Sequence, residues 1–164
     1  MGVVRFVQEL SAVETAADVR SPVADLAIEP VVMPRDRAAV LSLADEAREG
    51  TVSFAGRGLL AELESRDGRH ISAWLAWRSA TLGPRPIGIV MVAETDAGLS
   101  IPWLLVDPDV RRQGVARTLV DAAVRHARSV NAPRITADTL DSWVESRAFW
   151  PAVGFTLAGT VDPD

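Results

Sequence analysis

Arg111-Arg112-Gln113-Gly114-Val115-Ala116 gathers two guanidinium groups, a glycine and an alanine into six consecutive positions. That combination suits an anion. A helix has to begin near Gln113, and the first N–H groups of any helix lack partners and carry the positive end of its dipole, so phosphate oxygens are natural ligands there. Gly114 and Ala116 leave the backbone bare enough to close on a pyrophosphate, while Arg111 and Arg112 add charge. The residues before it supply the lead-in. Leu104-Leu105-Val106 can fill a buried strand, and Asp107-Pro108-Asp109 ends it, because proline fixes φ and cannot donate to a ladder.

The elements that must hold this turn follow from periodicity. Strands are predicted over 26–32, 71–79, 86–93, 99–106, 134–140 and 155–161, with helices over 37–48, 58–65, 115–130 and 142–153. Asp36 is expected to cap the first helix and Gly50 to stop it. Thr95-Asp96-Ala97-Gly98 reads as a tight antiparallel connection, and Gly83-Pro84 lies in the loop before it. The helix after the cradle turns Leu119, Ala122, Ala123, Ala127 and Val130 inward. Trp74 and Trp77 stand three apart on one strand and so face opposite sides.

Composition narrows the classes. The 164 residues make one domain with room for a core. No apolar run approaches the roughly eighteen residues of a membrane helix, and the first residues lack the long apolar stretch of a signal peptide. A cytoplasmic location is the expectation. The chain has no cysteine, which removes disulfides, thiolate catalysis and sulfur-ligated metal; with two histidines, His70 and His126, no metal site is expected. Net charge is −5 and the arginines are scattered among acidic residues, which argues against a nucleic-acid partner. An acidic balance suits a cationic substrate such as an amine. Gly56-x-Gly58-x-x-Ala61 lacks the acidic residue at the distance a dinucleotide site needs.

The string Arg111 to Ala116 matches the (Gln/Arg)-x-x-Gly-x-(Gly/Ala) motif of the GCN5-related N-acetyltransferase (GNAT) family, with Val106-x-Pro108 before it. A second motif follows at the family's distance. Trp150-Pro151-Ala152-Val153-Gly154-Phe155 stands where those enzymes carry an aromatic residue, three more and Gly-Phe. The chain therefore resembles that family over about residues 26–161, and the resemblance implies an α/β (α+β) fold, a mixed and mostly antiparallel sheet flanked by helices. Residues 26–164 would form the domain and 1–25 an N-terminal extension. The family's closing hairpin has room for only one strand here, so either the apolar segment Val3 to Leu10 or a partner subunit, as in a homodimer, is expected to cover the bare edge.

The resemblance also implies a reaction, acyl transfer from acetyl-coenzyme A or another acyl-coenzyme A to an amine of a small molecule or protein. Residues carried over for the co-substrate are Leu104, Leu105 and Val106 for the pantetheine, Arg111, Arg112, Gln113, Gly114, Val115 and Ala116 for the pyrophosphate with Arg117 and Thr118 at its margin, and Trp143 and Trp150 beyond. Proton transfer is where the sequence departs from the family. The tyrosine acid expected four residues before Gly-Phe is replaced by Trp150, and the chain contains no tyrosine. Indole donates a hydrogen bond but does not titrate near neutrality. Where relatives carry a glutamate base on the strand before the cradle, this chain has Pro102-Trp103; Glu94 and Asp138 are the acidic substitutes, and Ser142 and Ser146 offer hydroxyls. Trp103 and Trp150 are expected to flank the cleft. Two functions stay open at this point, an active N-acyltransferase and a non-catalytic acyl-coenzyme A sensor or scaffold of the same fold.

Overall fold

The computed structural model describes residues 2–10, 25–46, 55–65 and 70–161. Among the described residues seven strands and four helices follow in the order β1 (Val3–Glu9), β2 (Leu26–Pro30), α1 (Arg37–Glu46), α2 (Ala55–Glu64), β3 (Ile71–Arg78), β4 (Arg85–Thr95), β5 (Gly98–Val106), α3 (Val115–Ser129), β6 (Arg134–Leu140), α4 (Val144–Ala152) and β7 (Thr156–Val161). All seven strands join one sheet, ordered β2-β3-β4-β5-β6-β1-β7. Every pairing is antiparallel except β5 with β6. Each strand and helix expected from 26 onward is present, with ends that move by a few residues at most. The Gly50 stop lies outside the described residues.

The N-terminal segment, expected to cover the bare edge, does so from within the sheet: Val3–Glu9 lies antiparallel to β6 on one side and to β7 on the other. It supplies the strand that a shortened C-terminal hairpin lacks, and Val4 and Phe6 bury themselves in the core. An alternating apolar strand gains more as an interior strand than as a tail, since both of its hydrogen-bonding edges are satisfied. β7 is left as the edge of the sheet, and most of its residues are exposed.

Two cores follow from the sheet's two faces. On one, α3 packs Val115, Leu119, Val120, Ala123, Val124 and Ala127 against the strands, with Trp150 and Phe155 completing it. On the other, Val40 and Leu43 of α1 and Leu59 and Leu60 of α2 cover Ala73, Leu75, Ile89 and Met91. Trp74 packs on the α3 side with its ring 5.0 Å from that of His126, and Trp77 packs on the α1–α2 side, as alternation requires. Val130 departs from expectation. It lies just past the end of α3 and is 52% exposed. Asp36 is buried and closes the turn before α1, its carboxylate accepting from the Val32 N–H at 2.8 Å and from the Arg35 guanidinium. That ion pair and the Val32 bond hold the Asp36 carboxyl below the usual carboxylate range, against the opposing effect of burial.

Gly88 sets how closely α3 sits on β4. A Cβ there would meet Leu119 Cδ1 at 2.8 Å and the Leu105 carbonyl oxygen at 3.2 Å. Only a bare backbone lets the helix approach this near. That approach in turn fixes where the start of α3 lies relative to β5.

Candidate active site

β5 begins at Gly98 and pairs with β6 for three positions only, Leu99 with Ile135, Ser100 with Thr136 and Ile101 with Ala137. Beyond them the strands part. The parting coincides with a bulge, because on the β4 side the register passes from Ala93↔Ser100 to Met91↔Trp103 and leaves Ile101 and Pro102 opposite Val92 alone. Proline has no N–H to give a ladder, so a bulge is where a strand tolerates it. Pro102 therefore explains locally why the sheet opens at this point.

The opened edge carries free backbone groups. Asp107 donates its N–H to the Ile87 carbonyl at 2.9 Å, which fixes the phase of the β4–β5 ladder. By alternation Leu105 also faces β4, and the N–H and C=O groups of Leu104 and Val106 point into the gap. Leu104 and Val106 pack on the α3 side, while Trp103 and Leu105 pack on the α1–α2 side. The indole N–H of Trp103 is buried without an acceptor among the described residues.

The chain leaves β5 through Asp107, whose buried carboxylate accepts from the Asp109 N–H at 2.9 Å and from Arg85. A short 3-10 turn, Pro108–Val110, follows. Arg112 and Gly114 then both adopt left-handed backbone, φ +63° and +84°. Gly114 caps α3 with no side chain to offer, so the first N–H groups of the helix are not consumed by a capping side chain. Successive turn and helix-start amides of this kind form a concave anion site. Arg111 and Arg112 stand exposed beside it.

Two cavities of about 800 and 450 Å³ meet along this surface and share Val106, Arg111, Ala116, Glu145 and Phe149. The smaller includes the helix start, with Arg112, Gly114, Val115 and Arg117. The larger runs down the parted strands past Leu104 and Leu105 to Trp103, Asp138, Trp143, Ser146 and Trp150. Together they form one cleft between the start of α3, α4 and the open edge of β5. It joins the turn and helix-start amides to a long apolar wall edged with backbone donors.

Not every expected residue arrives there. Gln113 is exposed and accepts from Arg78 at 2.8 Å, outside the walls of both cavities. Thr118 is buried and donates its hydroxyl to the Gly114 carbonyl at 2.9 Å, inside the first turn of the helix. Arg117 donates to the Ala152 carbonyl at 2.9 Å and ties α3 to the end of α4. Glu94 is exposed at the β4–β5 hairpin, away from the walls of both cavities. Trp150 lines the cleft yet is only 5% exposed, its ring packed between Phe149 and Phe155 at centroid distances of 5.1 and 5.0 Å. Phe149 and Glu145 were not foreseen, although an apolar residue beside Trp150 on a helix was a signal for the first. Glu145 lies 3.8 Å from Arg112 across the mouth, both almost fully exposed.

Comparison with known proteins decides the family. The model of the acetyltransferase (GNAT) family matches residues 38–155. The chain belongs to that family. It is 27% identical over 116 residues to the peptidyl-lysine N-acetyltransferase YjaB of Salmonella typhimurium, a match covering 71% of this chain and 74% of that protein. The Escherichia coli protein of the same name is 28% identical over 116 residues, covering 71% of this chain and 73% of that one. Among solved structures, a GCN5-related N-acetyltransferase from Sphaerobacter thermophilus superposes with a TM-score of 0.74 at 15% identity, over 97% of this chain and 49% of that one. The chain thus spans about half the length of that neighbour. AAC(6')-Iy in complex with a coenzyme A bisubstrate analogue superposes with a TM-score of 0.66 at 18% identity, over 85% of this chain and 96% of that one. The GNAT fold inferred from the two motifs is the fold the chain has, and the family reaction is N-acyl transfer.

Proposed function

We propose that this chain is an active N-acetyltransferase that binds acetyl-coenzyme A along the joined cleft and acetylates a primary amine. The observation that carries the reading is the coincidence, in one cleft, of an uncapped left-handed glycine start to α3 with the unpaired backbone edge of Leu104 and Val106. The residues fit the co-substrate. The amides from Arg112 to Ala116 hold a pyrophosphate, and Arg111 and Arg112 add charge to them. Leu104 to Val106 hold a pantetheine as a further strand would be held. Acetyl-coenzyme A would supply an acyl group already activated as a thioester.

Catalysis then rests on what the chain itself can do. The backbone donors at the parted strands are fixed in place by the β4–β5 ladder and aim at a carbonyl oxygen on which negative charge develops, an arrangement often worth several kcal/mol of barrier. Holding amine and thioester together contributes about 7–11 kcal/mol in favourable cases. Proton transfer falls to small groups. Ser146 and Ser142 line the cleft and are suited to passing a proton through water, whereas Glu94 is too far along the hairpin to serve directly. The printed names of the curated relatives support a lysine side chain as acceptor.

One observation favours the second reading, a non-catalytic acyl-coenzyme A sensor. Trp150 occupies the position of the family's acid and is built into the core, so no titrating group replaces it there. Incubation with acetyl-coenzyme A and a panel of lysine peptides and small amines, following free thiol, separates the two. Amine-dependent thiol release with an acetylated product is the expected outcome. Thermal stabilisation by acetyl-coenzyme A with no release on any amine would establish the sensor instead.

A further inference from the structure

A second opening lies on the other side of the parted strands. Alternation along β6 sends Ile135 and Ala137 into the α3-side core and turns Thr136 and Asp138 to the opposite face. On β1 the same alternation buries Val4 and Phe6 and turns Arg5 outward beside Asp138, its direct cross-strand partner. These side chains line a cavity of about 430 Å³, closed at its far end by the β4–β5 hairpin. Ile101, Pro102 and Asp138 line both this cavity and the main cleft. Asp138 is also the first residue of β6 past its last pairing with β5. Asp138 therefore stands where the linings of the two cavities meet at the parting of the strands.

The charges around this point are arranged for a cation. Arg5 grips Asp138 side-on, Nε to Oδ1 and Nη2 to Oδ2, both at 2.8 Å. A carboxylate has about four lone-pair sites and this grip uses two, so oxygen lone pairs remain free. The Asp138 side chain is 39% exposed, which leaves them reachable. Arg134, the other cation lining the cavity, is paired with Glu9 at 3.5 Å. Asp96 adds a further carboxylate, so the lining and its ion-pair partners carry an excess of negative charge.

We propose that Asp138 docks the ammonium group of the acceptor at the parting of β5 and β6, and that Arg5 of the N-terminal strand is a positioning residue that aims it. The proposal rests on the acyltransferase reading for the direction of approach, since the main cleft is taken up by the co-substrate and the amine must arrive from the other face. It assigns the N-terminal strand a part in substrate recognition as well as in the sheet.

The test uses the full chain saturated with coenzyme A, which binds without turning over, and a terminally blocked lysine peptide titrated into it by calorimetry. Wild type is expected to bind the peptide, and Asp138→Asn to bind it about ten- to a hundredfold more weakly, the usual consequence of losing a charge-assisted hydrogen bond. Arg5→Met should weaken binding by less, Arg5→Lys should recover part of that loss, and the double variant should be no worse than Asp138→Asn, because the arginine acts through the aspartate. In turnover assays the same variants should raise KM for the peptide more than they lower kcat. All should melt near the wild-type temperature, since an exposed ion pair contributes little to stability. Equal peptide affinity in wild type and Asp138→Asn, additive effects of the two substitutions, or no binding of the peptide by wild type would overturn the proposal. Asp138-dependent binding without acetylation would overturn only the catalytic reading, and acetylation indifferent to Asp138 would overturn only this one.

Discussion

The two proposed sites are built from different materials. The proposed pyrophosphate end is a run of consecutive backbone, Arg111 to Ala116, shaped by two left-handed residues and the start of one helix. The proposed acceptor end is made of side chains from β1, β6 and the β4–β5 hairpin, and its central pair, Arg5 and Asp138, lies 133 positions apart in sequence. Backbone sites depend on conformation, which a few residue types enforce locally. Side-chain sites depend on which strands the fold makes neighbours. The first end should therefore fail when local conformation is disturbed, and the second when one charge is changed.

The largest effect is expected at Gly114. Replacing it with glutamate puts a Cβ on a residue at φ +84° and a negative charge at the positive end of α3. Affinity for acetyl-coenzyme A should fall at least about a hundredfold by calorimetry, a change of about 2.7 kcal/mol, while folding loses only about 1–2 kcal/mol. Retained affinity would break the contrast between the two ends. Gly88→Val comes next. Its side chain would collide with Leu119, and overpacking of this kind costs about 1–3 kcal/mol, so thermal unfolding should drop and co-substrate affinity fall with it as α3 is pushed off β4.

A smaller effect is expected at Arg111. Exposed and adjacent to the amides rather than part of them, it should on conversion to alanine weaken acetyl-coenzyme A binding by several-fold, and the difference should shrink as salt is raised. A salt-insensitive loss would mean that packing rather than charge was removed. The smallest effect lies outside both ends, at His126, whose pKa is lowered from 6.5 by burial beside Trp74. The unfolded chain then takes up this proton before the folded one does as pH falls. The resulting loss of stability should begin near 6.5 and deepen below it, and His126→Leu should flatten that part of the curve without changing either binding site.

This division also explains what could be read in advance. Strands and helices from 26 onward were legible because each is a local pattern with its own stops, as at Asp107-Pro108 and Gly154. The turn into α3 was legible for the same reason. Pro102 was visible only as a departure from the family's glutamate, and the structure turns it into the cause of the bulge at which the sheet opens. The N-terminal strand was the place where pattern stopped short. Val3 to Leu10 was expected at the bare edge and pairs there with β7, yet nothing within it states that its other partner is β6, more than a hundred residues later. Arg5 was invisible for that reason, and Asp138 was visible only as an acid on a strand. Thr118 and Gln113 show the reverse case, motif positions whose side chains serve the helix turn and Arg78 rather than the cleft.

Backbone amides are the material of the proposed co-substrate site, so amide hydrogen exchange with and without acetyl-coenzyme A is the most direct measurement. The expected result is slowed exchange at Leu104 and Val106 and across Gly114 to Arg117, with β1 and the hairpin between β4 and β5 unchanged. Exchange left untouched at those amides, or slowed only around Arg5 and Asp138, would contradict a co-substrate held by the strand edge and the start of α3.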